Sequence, residues 1–269
     1  MQHILKEHEV FIRFSQHRDT ACLIIEWLAL LIFAAFFLSV RCTNQDVQSR
    51  MPLPNYKTSL LFKESFNQDL KNWSFEGKGS IVIGEDGRLR VTEASGSDGV
   101  MIWITQDFSD DFQLEYEVEI PETPGMNIVF VCAQGTEGED ILTDLPPRTG
   151  NLQDYTRNRI RSYHISYHCY SKEGEHNSES KIRKNPGHMQ LAQAQNDPCQ
   201  ENRLYYIDVI KTGNRIRFYV DGKLIHDVRD KGGFGPAAMK GKIGFWSHGL
   251  ENRYTTIFDN IRIFKLIPT

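Results

Sequence analysis

The residues best suited to chemistry in this sequence lie between positions 158 and 187. Residues 158–170 alternate with a period of two, which is typical of a β-strand whose side chains fall on two opposite faces. One face would carry polar side chains, namely His164, Ser166, His168 and Tyr170. The other face would carry side chains that suit an aromatic core, namely Tyr163, Ile165, Tyr167 and Cys169. This division favours a sheet face that holds a polar ligand, although a solvated edge strand can show the same residue types.

Cationic side chains follow this strand closely, namely Lys181, Arg183 and Lys184. Arginine and lysine pair with carboxylates through charge-assisted hydrogen bonds, and arginine can form two such bonds in parallel. Cations next to imidazoles and a phenol therefore indicate recognition of an anionic sugar.

β-Elimination from a uronate is the reaction that these groups would suit. It needs a base for the proton next to the carboxylate, an acid for the leaving oxygen, and cations that hold the carboxylate. Either histidine of the strand could be the base, and Tyr170 or Tyr167 the acid, although Tyr167 should point into the core. The candidate catalytic residues are His164, His168, Tyr170 and Arg183. The candidate substrate-binding residues are Arg161, Ser166, Lys184, Asn185, His188, Trp246 and His248.

Two other functions remain open. Glycoside hydrolysis needs a pair of carboxylates, and Glu115, Glu117 and Glu119 do alternate on one face, but a solvated outer face is the favoured interpretation of that pattern. A non-catalytic carbohydrate-binding module would need aromatic stacking platforms, which Trp246 could provide, whereas core packing is favoured for Trp103.

No metal or cofactor is required by these candidates. His164 and His168 would lie about 13 Å apart on a strand, which is too far to share one small ion. A structural calcium site near Asp259 and Glu64 is compatible with the sequence. Phosphate-binding loops, nucleophile elbows and dinucleotide-binding fingerprints are absent from the sequence.

The amino-terminal part of the sequence predicts export. Residues 21–40 form an apolar run interrupted only by Glu26, which is typical of a signal peptide or membrane anchor. Lipidation at Cys42, where Arg41 departs from the usual small residue, cleavage elsewhere and an uncleaved anchor remain open. Each predicts a folded domain at the cell surface or in the periplasm, with membrane contact through this segment only. The net charge of −4 argues against nucleic acid as a partner.

The domain organisation follows from the change in composition after this run. Residues 1–42 are the predicted signal or anchor, residues 43–57 a proline-containing linker, and residues 58–269 the folded domain. Three cysteines fall in the folded domain, namely Cys132, Cys169 and Cys199. One disulfide among them is compatible with an oxidising compartment, and the pair 169–199 is one option that the sequence does not assign.

The folded domain reads as a series of short strands. Residues 112–120 alternate between apolar and polar side chains, residues 127–132 are almost continuously apolar, and turn sequences such as Gly84-Glu85-Asp86-Gly87 separate the strands. More than ten such segments with no convincing helix predict an all-β sandwich or barrel.

Three segments near the end of the chain resemble the concanavalin-like lectin/glucanase jelly roll: residues 216–223 (IRFYVDGK), 241–246 (GKIGFW) and 258–264 (FDNIRIF). Residues 163–167 (YHISY) and 183–187 (RKNPG) are similar to the YesU-like family of bacterial jelly rolls, over residues 60–266. The resemblance implies a sandwich of two antiparallel sheets and a role in breaking down acidic plant or algal polysaccharides. It carries over no catalytic residues.

Overall fold

A computed structural model describes residues 48–109, 111–121, 124–171 and 173–269. The described residues form one compact unit built of strands and one short helix, α1 (Leu152–Thr156). The strands are β1 (Tyr56–Glu64), β2 (Trp73–Gly77), β3 (Gly79–Ile83), β4 (Leu89–Glu93), β5 (Val100–Ile104), β6 (Phe112–Glu119), β7 (Met126–Gly135), β8 (Ile160–Tyr167), β9 (Ser180–Asn185), β10 (Met189–Ala194), β11 (Leu204–Thr212), β12 (Arg215–Val220), β13 (Lys223–Arg229), β14 (Lys242–His248) and β15 (Tyr254–Pro268).

The strands form two antiparallel sheets within the described residues. The eight-stranded sheet has the order β13-β12-β11-β6-β15-β4-β3, and β1 pairs with β15. The seven-stranded sheet has the order β10-β9-β8-β7-β14-β5-β2. Apolar side chains from both sheets fill the space between them. The predicted two-sheet jelly-roll sandwich is therefore confirmed.

The alternation of β6 and β8 explains how the two sheets share one core. Tyr116 of β6 and Tyr167 of β8 are both fully buried, and the hydroxyl of Tyr116 donates to that of Tyr167 over 3.1 Å. This bond joins the two sheets across the core. The expectation that Tyr167 points into the core is confirmed, so that side chain is not available as an acid on the outer face.

Among the three glutamates of β6, Glu115 departs from the expected solvated outer face, whereas Glu117 and Glu119 are partly exposed. The Glu115 side chain is fully buried, and its carboxylate pairs with the Arg262 guanidinium at 2.7 Å. It also accepts hydrogen bonds from the backbone N–H of Arg50 at 2.7 Å and from the Ser49 hydroxyl at 2.5 Å. A carboxylate bound on all sides in this way is a structural group, because its oxygens are occupied within the fold.

The segment before β1 lies against the eight-stranded sheet. Leu53 packs on Ile210 and Leu266, and β1 begins at Tyr56. The described part of the predicted linker, residues 48–57, thus contributes to the folded body. The predicted signal or anchor segment, residues 1–42, lies outside the described residues. Within the part of the chain that is described, no helix is long and apolar enough to cross a bilayer.

Candidate functional site

The register of the seven-stranded sheet places six side-chain positions in one row across its outer face, the face turned away from the core. From β10 to β5 these positions are Gln190, Arg183, His164, Phe130, Gly244 and Trp103. The row is polar on β10, β9 and β8 and apolar on β7, β14 and β5. The outer face therefore has a polar half and an apolar half.

The apolar half is covered by residues 136–159, which we call the covering loop and which include α1. Side chains of this loop, Ile141, Leu145 and Tyr155, join Trp103 and Phe130 in a second buried cluster. The rings of Trp103, Phe130 and Tyr155 lie 5.9–6.0 Å apart, centroid to centroid. Only the polar half of the outer face is left for a ligand.

Two ion pairs hold the covering loop on the sheet. Arg148 of the loop donates from Nε to Glu76 of β2 at 2.9 Å, and the same carboxylate accepts a hydrogen bond from Tyr155 at 2.9 Å. Asp140 of the loop pairs with Lys242 of β14 at 2.9 Å. Both ends of the Arg148–Glu76 pair are about nine-tenths buried, with side-chain exposures of 7% and 11%. The loop is thus a fixed part of the fold.

Trp246 is buried under this loop, which corrects its expected role as a stacking platform. Its side chain is 2% exposed, and its indole N–H donates to the Gly150 carbonyl at 2.8 Å. The backbone at Gly99 lies so close that an added Cβ would stand 2.6 Å from the indole ring. The core-packing interpretation of Trp103, by contrast, is confirmed, because that side chain is fully buried.

The polar half is built around His164, which is fully buried. The Asn185 side-chain amide donates to Nδ1 of His164 at 3.0 Å and to the Ser162 hydroxyl at 2.9 Å. Because Nδ1 accepts this bond, Nε2 carries the ring proton. Among the described residues, Nε2 of His164 and Oδ1 of Asn185 have no hydrogen-bond partner. Both atoms are inaccessible to solvent, so each is a buried polar group whose hydrogen-bonding capacity the described residues leave unused.

His188 stacks on His164, with ring centroids 5.2 Å apart and an interplanar angle of 23°. The turn between β9 and β10 makes this possible, because Gly187 and His188 have positive φ angles of 102° and 58° and turn the chain back. The Gly187 N–H also donates to the Thr156 carbonyl at 2.8 Å. That bond joins the turn to α1 of the covering loop.

The surroundings of this pair are positively charged. Burial lowers the pKa of His164 well below its usual value, and burial followed by the charges of Arg183, Arg157 and Lys181 lowers the pKa of His188 to about 4. Both rings are therefore neutral at neutral pH. Burial also lowers the pKa of the Arg183 guanidinium. Within the described part of the chain, Arg183 has no ion pair, whereas Lys181 pairs with Glu179.

Lys184 does not belong to this site, which corrects its expected role. Its side chain faces the opposite side of β9 from Arg183 and is buried. The ammonium pairs with Asp230 at 2.6 Å and donates to the Gly235 carbonyl at 2.6 Å, while Tyr163 donates to Asp230 at 2.7 Å. The reason is the two-residue period of a strand, which sends neighbouring side chains to opposite faces.

His168 and Tyr170 also lie apart from His164, although sequence alternation placed all three on one face. β8 ends at Tyr167, and the positive φ of 50° at His168 breaks the alternation. His168 shares a hydrogen bond of 2.7 Å between Nδ1 and the Cys199 carbonyl, and its ring stacks with a core residue, Tyr254. The Tyr170 hydroxyl donates to the Gln200 carbonyl at 3.0 Å.

A buried carboxylate that the sequence analysis missed holds this region. Asp197 accepts hydrogen bonds from the backbone N–H groups of His168 at 2.9 Å, Cys169 at 2.7 Å and Cys199 at 3.0 Å. Its position in a polar loop gave no local signal, because two of these partners lie 28 and 29 residues away. The three cysteines of the folded domain are free thiols.

The other candidate residues are engaged elsewhere. Arg161 donates to the Thr136 carbonyl at 2.9 Å, and Ser166 is buried with its hydroxyl bound to the backbone of Lys181. His248 is hydrogen-bonded to Glu93 at 2.9 Å. The residues that the structure does bring together are His164, Arg183, Asn185 and His188.

No cluster of three potential metal ligands exists among the described residues. At the position considered for calcium, Glu64 accepts hydrogen bonds from the N–H groups of Ser65 and Phe66. Cavities of about 310 and 500 Å³ lie outside the polar half, the first beside Arg148 and the second beside Asp197.

The two packed antiparallel sheets, with a loop covering part of the outer face of one of them, define a concanavalin-like jelly roll. The chain belongs to the family described as "Domain of unknown function (DUF1961)", whose profile matches residues 59–257. It is 30% identical over 185 residues to the uncharacterized protein YesU of Bacillus subtilis (strain 168), covering 66% of this chain and 83% of that protein. The predicted YesU-like resemblance is thereby confirmed.

Solved structures agree with this fold. A protein of unknown function with a galectin-like fold from Bacillus subtilis superposes with a TM-score of 0.70 at 25% identity, covering 80% of this chain and 100% of that one. The κ-carrageenase of Pseudoalteromonas carrageenovora, in complex with an oligotetrasaccharide of κ-carrageenan, gives a TM-score of 0.54 at 12% identity. That match covers 82% of this chain and 100% of the carrageenase, and at this identity it shows a shared fold.

Proposed function

We propose that this protein recognises an acidic, uronate-containing saccharide on the polar half of the outer face. The observation that carries the proposal is Arg183, a partly buried guanidinium with no ion pair in the described part of the chain, directly opposite His164 on the neighbouring strand. The Nε2 of His164, buried and without a hydrogen-bond partner among the described residues, lies on the strand next to Arg183.

An unpaired cation is costly to bury. Removing a charged group from water costs free energy unless a counter-charge or hydrogen bonds replace the lost hydration. A ligand carboxylate would form charge-assisted hydrogen bonds with Arg183. Gln190, opposite Arg183 on β10, could bond to a neighbouring hydroxyl group. The side chains of this site therefore favour binding of an anion that also carries hydroxyl groups.

We propose that this anionic ligand is a saccharide because of the ligands seen in proteins that share the fold. The κ-carrageenase that superposes on this chain was crystallised with an oligosaccharide. The predicted export of the domain is part of the same proposal, since polymeric acidic glycans are met outside the cytoplasm. The partner we propose is thus an extracellular acidic polysaccharide or its oligomers.

Non-catalytic binding of a saccharide requires only side chains that the site contains. β-Elimination is the second candidate, and His188 favours it, because a half-buried neutral imidazole next to Arg183 could accept a proton. Its low pKa makes it a weak base, and the expected acid Tyr170 is bound to the Gln200 carbonyl instead. Non-catalytic recognition is therefore the first candidate function, and β-elimination is the second.

Calorimetric titration of the purified chain with uronate oligosaccharides and with neutral oligosaccharides of equal length tests the proposal. We expect binding to the acidic series only, and a loss of affinity of about tenfold or more in Arg183→Gln, because a charge-assisted hydrogen bond contributes about 1.5–3 kcal/mol. Arg229→Gln, which removes an exposed cation from β13, is the matched control. Equal affinities in both variants would contradict the proposal. Rising absorbance of unsaturated uronates during incubation would establish the second candidate.

A further inference from the structure

The covering loop limits how a long ligand could lie on the outer face. A chain running across the strands from β10 towards β2 would have to pass over Phe130 and Trp103, whose side chains are fully buried beneath the loop. Adjacent strands lie about 4.8 Å apart, and the outward side chains of β8 are themselves buried, so β9 and β10 offer a width of only about 5 Å between their axes.

One end of this open strip is also closed. The Gly187 N–H in the turn between β9 and β10 donates to the Thr156 carbonyl in α1, so the turn and the covering loop meet there. Arg157 follows at the carboxyl end of the helix and acts electrostatically on His188. The polar half is therefore walled along β7 and at the turn, and it opens towards the β10 edge, where Met189 and Gln190 are exposed.

We infer that the site takes the terminal residue of an acidic glycan chain and not an internal segment. The inference rests on the proposed function and specifies it: the ligand enters from the open side, and its last sugar reaches Arg183. Glu76 and Arg148 act as positioning residues, because their ion pair holds the loop that blocks the chain from continuing.

Binding stoichiometry separates the two modes of recognition. The full chain is titrated with oligogalacturonates of increasing length, from the dimer to long polymers. Terminal recognition predicts one bound protein per glycan chain at every length and a constant affinity per chain. Internal recognition predicts several proteins per long chain, in numbers that grow with length, and that result would overturn the inference.

Chemical modification of each chain end provides a second measurement. One probe is a galacturonate trimer with its reducing end reduced to the alditol, and the other is a trimer with a double bond in its non-reducing terminal ring. We expect one of the two modifications to lower the affinity about tenfold or more, which equals about 1.4 kcal/mol. Unchanged affinity for both probes would also overturn the inference.

These outcomes differ from a failure of the proposed function itself. If no acidic oligomer binds, or if Arg183→Gln binds as well as the unchanged protein, anionic recognition at this site is wrong and terminal recognition falls with it. If binding depends on Arg183 but the number of proteins per chain grows with length, only terminal recognition is overturned.

Discussion

Arg183 and Lys184 are neighbours in the sequence, yet their charged groups lie on opposite faces of β9. Arg183 stands opposite His164 on the outer face and lacks an ion pair within the described residues, whereas Lys184 is buried on the core side against Asp230 at 2.6 Å. One cation is available to a ligand, and the other neutralises a carboxylate of the fold. Substitutions at these two positions should therefore affect the stability of the protein differently.

We expect Lys184→Met to lower the free energy of unfolding by about 3–5 kcal/mol, because it leaves the Asp230 carboxylate buried without its cation. Arg183→Gln should leave the free energy of unfolding unchanged or raise it, since burial disfavours the charged guanidinium and it forms no ion pair within the described residues. Urea denaturation followed by tryptophan fluorescence measures both. Equal destabilisation by the two variants would show that Arg183 has a structural partner and would contradict its assignment to the site.

The ion pair between Arg148 and Glu76 should behave as a unit. We expect Arg148→Met alone to destabilise the protein by about 3–5 kcal/mol, because the Glu76 carboxylate would remain buried and unpaired. The double variant Arg148→Met with Glu76→Gln should recover a large part of this loss. Limited proteolysis should cut residues 136–159 faster in the single variant than in the double one. Additive effects in this double-mutant cycle would mean that the two side chains do not interact.

Strand β8 and the residue after it show where the two-residue period predicts side-chain orientation correctly and where it fails. The alternation correctly assigned Tyr163, Ile165 and Tyr167 to the core and His164 to the other face. It failed at His168, because a positive φ is uncommon at residues other than glycine and a two-residue period does not reveal it. The same rule, applied to β9, would have separated Arg183 from Lys184 in advance.

Contacts between distant segments account for the remaining differences. Trp246 is bound to a carbonyl 96 residues earlier in the chain, and Arg148 to a carboxylate 72 residues earlier. Neither partner can be found from local pattern, because the covering loop has no periodicity of its own. The family resemblance gave the two sheets, but which half of the outer face is open depends on where this loop packs.

A buried histidine between the sheets should make stability depend on pH. Burial lowers the pKa of His226 to about 4, and its Nε2 is hydrogen-bonded to the Ser180 hydroxyl at 2.9 Å. Between the ordinary pKa of 6.5 and about 4, the unfolded chain binds a proton there that the folded protein does not. The free energy of unfolding should therefore fall as the pH is lowered through this window, by up to about 1.4 kcal/mol per pH unit for one proton.

His226→Gln isolates this contribution, because glutamine can still donate to Ser180 but does not titrate. We expect a shallower fall in the free energy of unfolding between pH 6.5 and 4 in the variant, measured by urea denaturation at several pH values. His164 and His188 act in the same direction, whereas Asp208, whose pKa burial raises to about 6, opposes them. Superimposable pH profiles of the variant and the unchanged protein would contradict the prediction.

The carboxylate of Asp197 should matter for stability and not for ligand binding. Asp197→Asn replaces one of the two oxygens that accept the N–H groups of His168, Cys169 and Cys199 with an amide donor. At least one buried N–H then loses its acceptor, so we expect a loss of about 1–3 kcal/mol in the free energy of unfolding. Affinity for acidic oligosaccharides should stay unchanged below the unfolding transition, whereas His188→Ala should reduce it. If a folded Asp197→Asn protein lost binding, the prediction would be contradicted, and the region of His168 and Tyr170 would belong to the binding site.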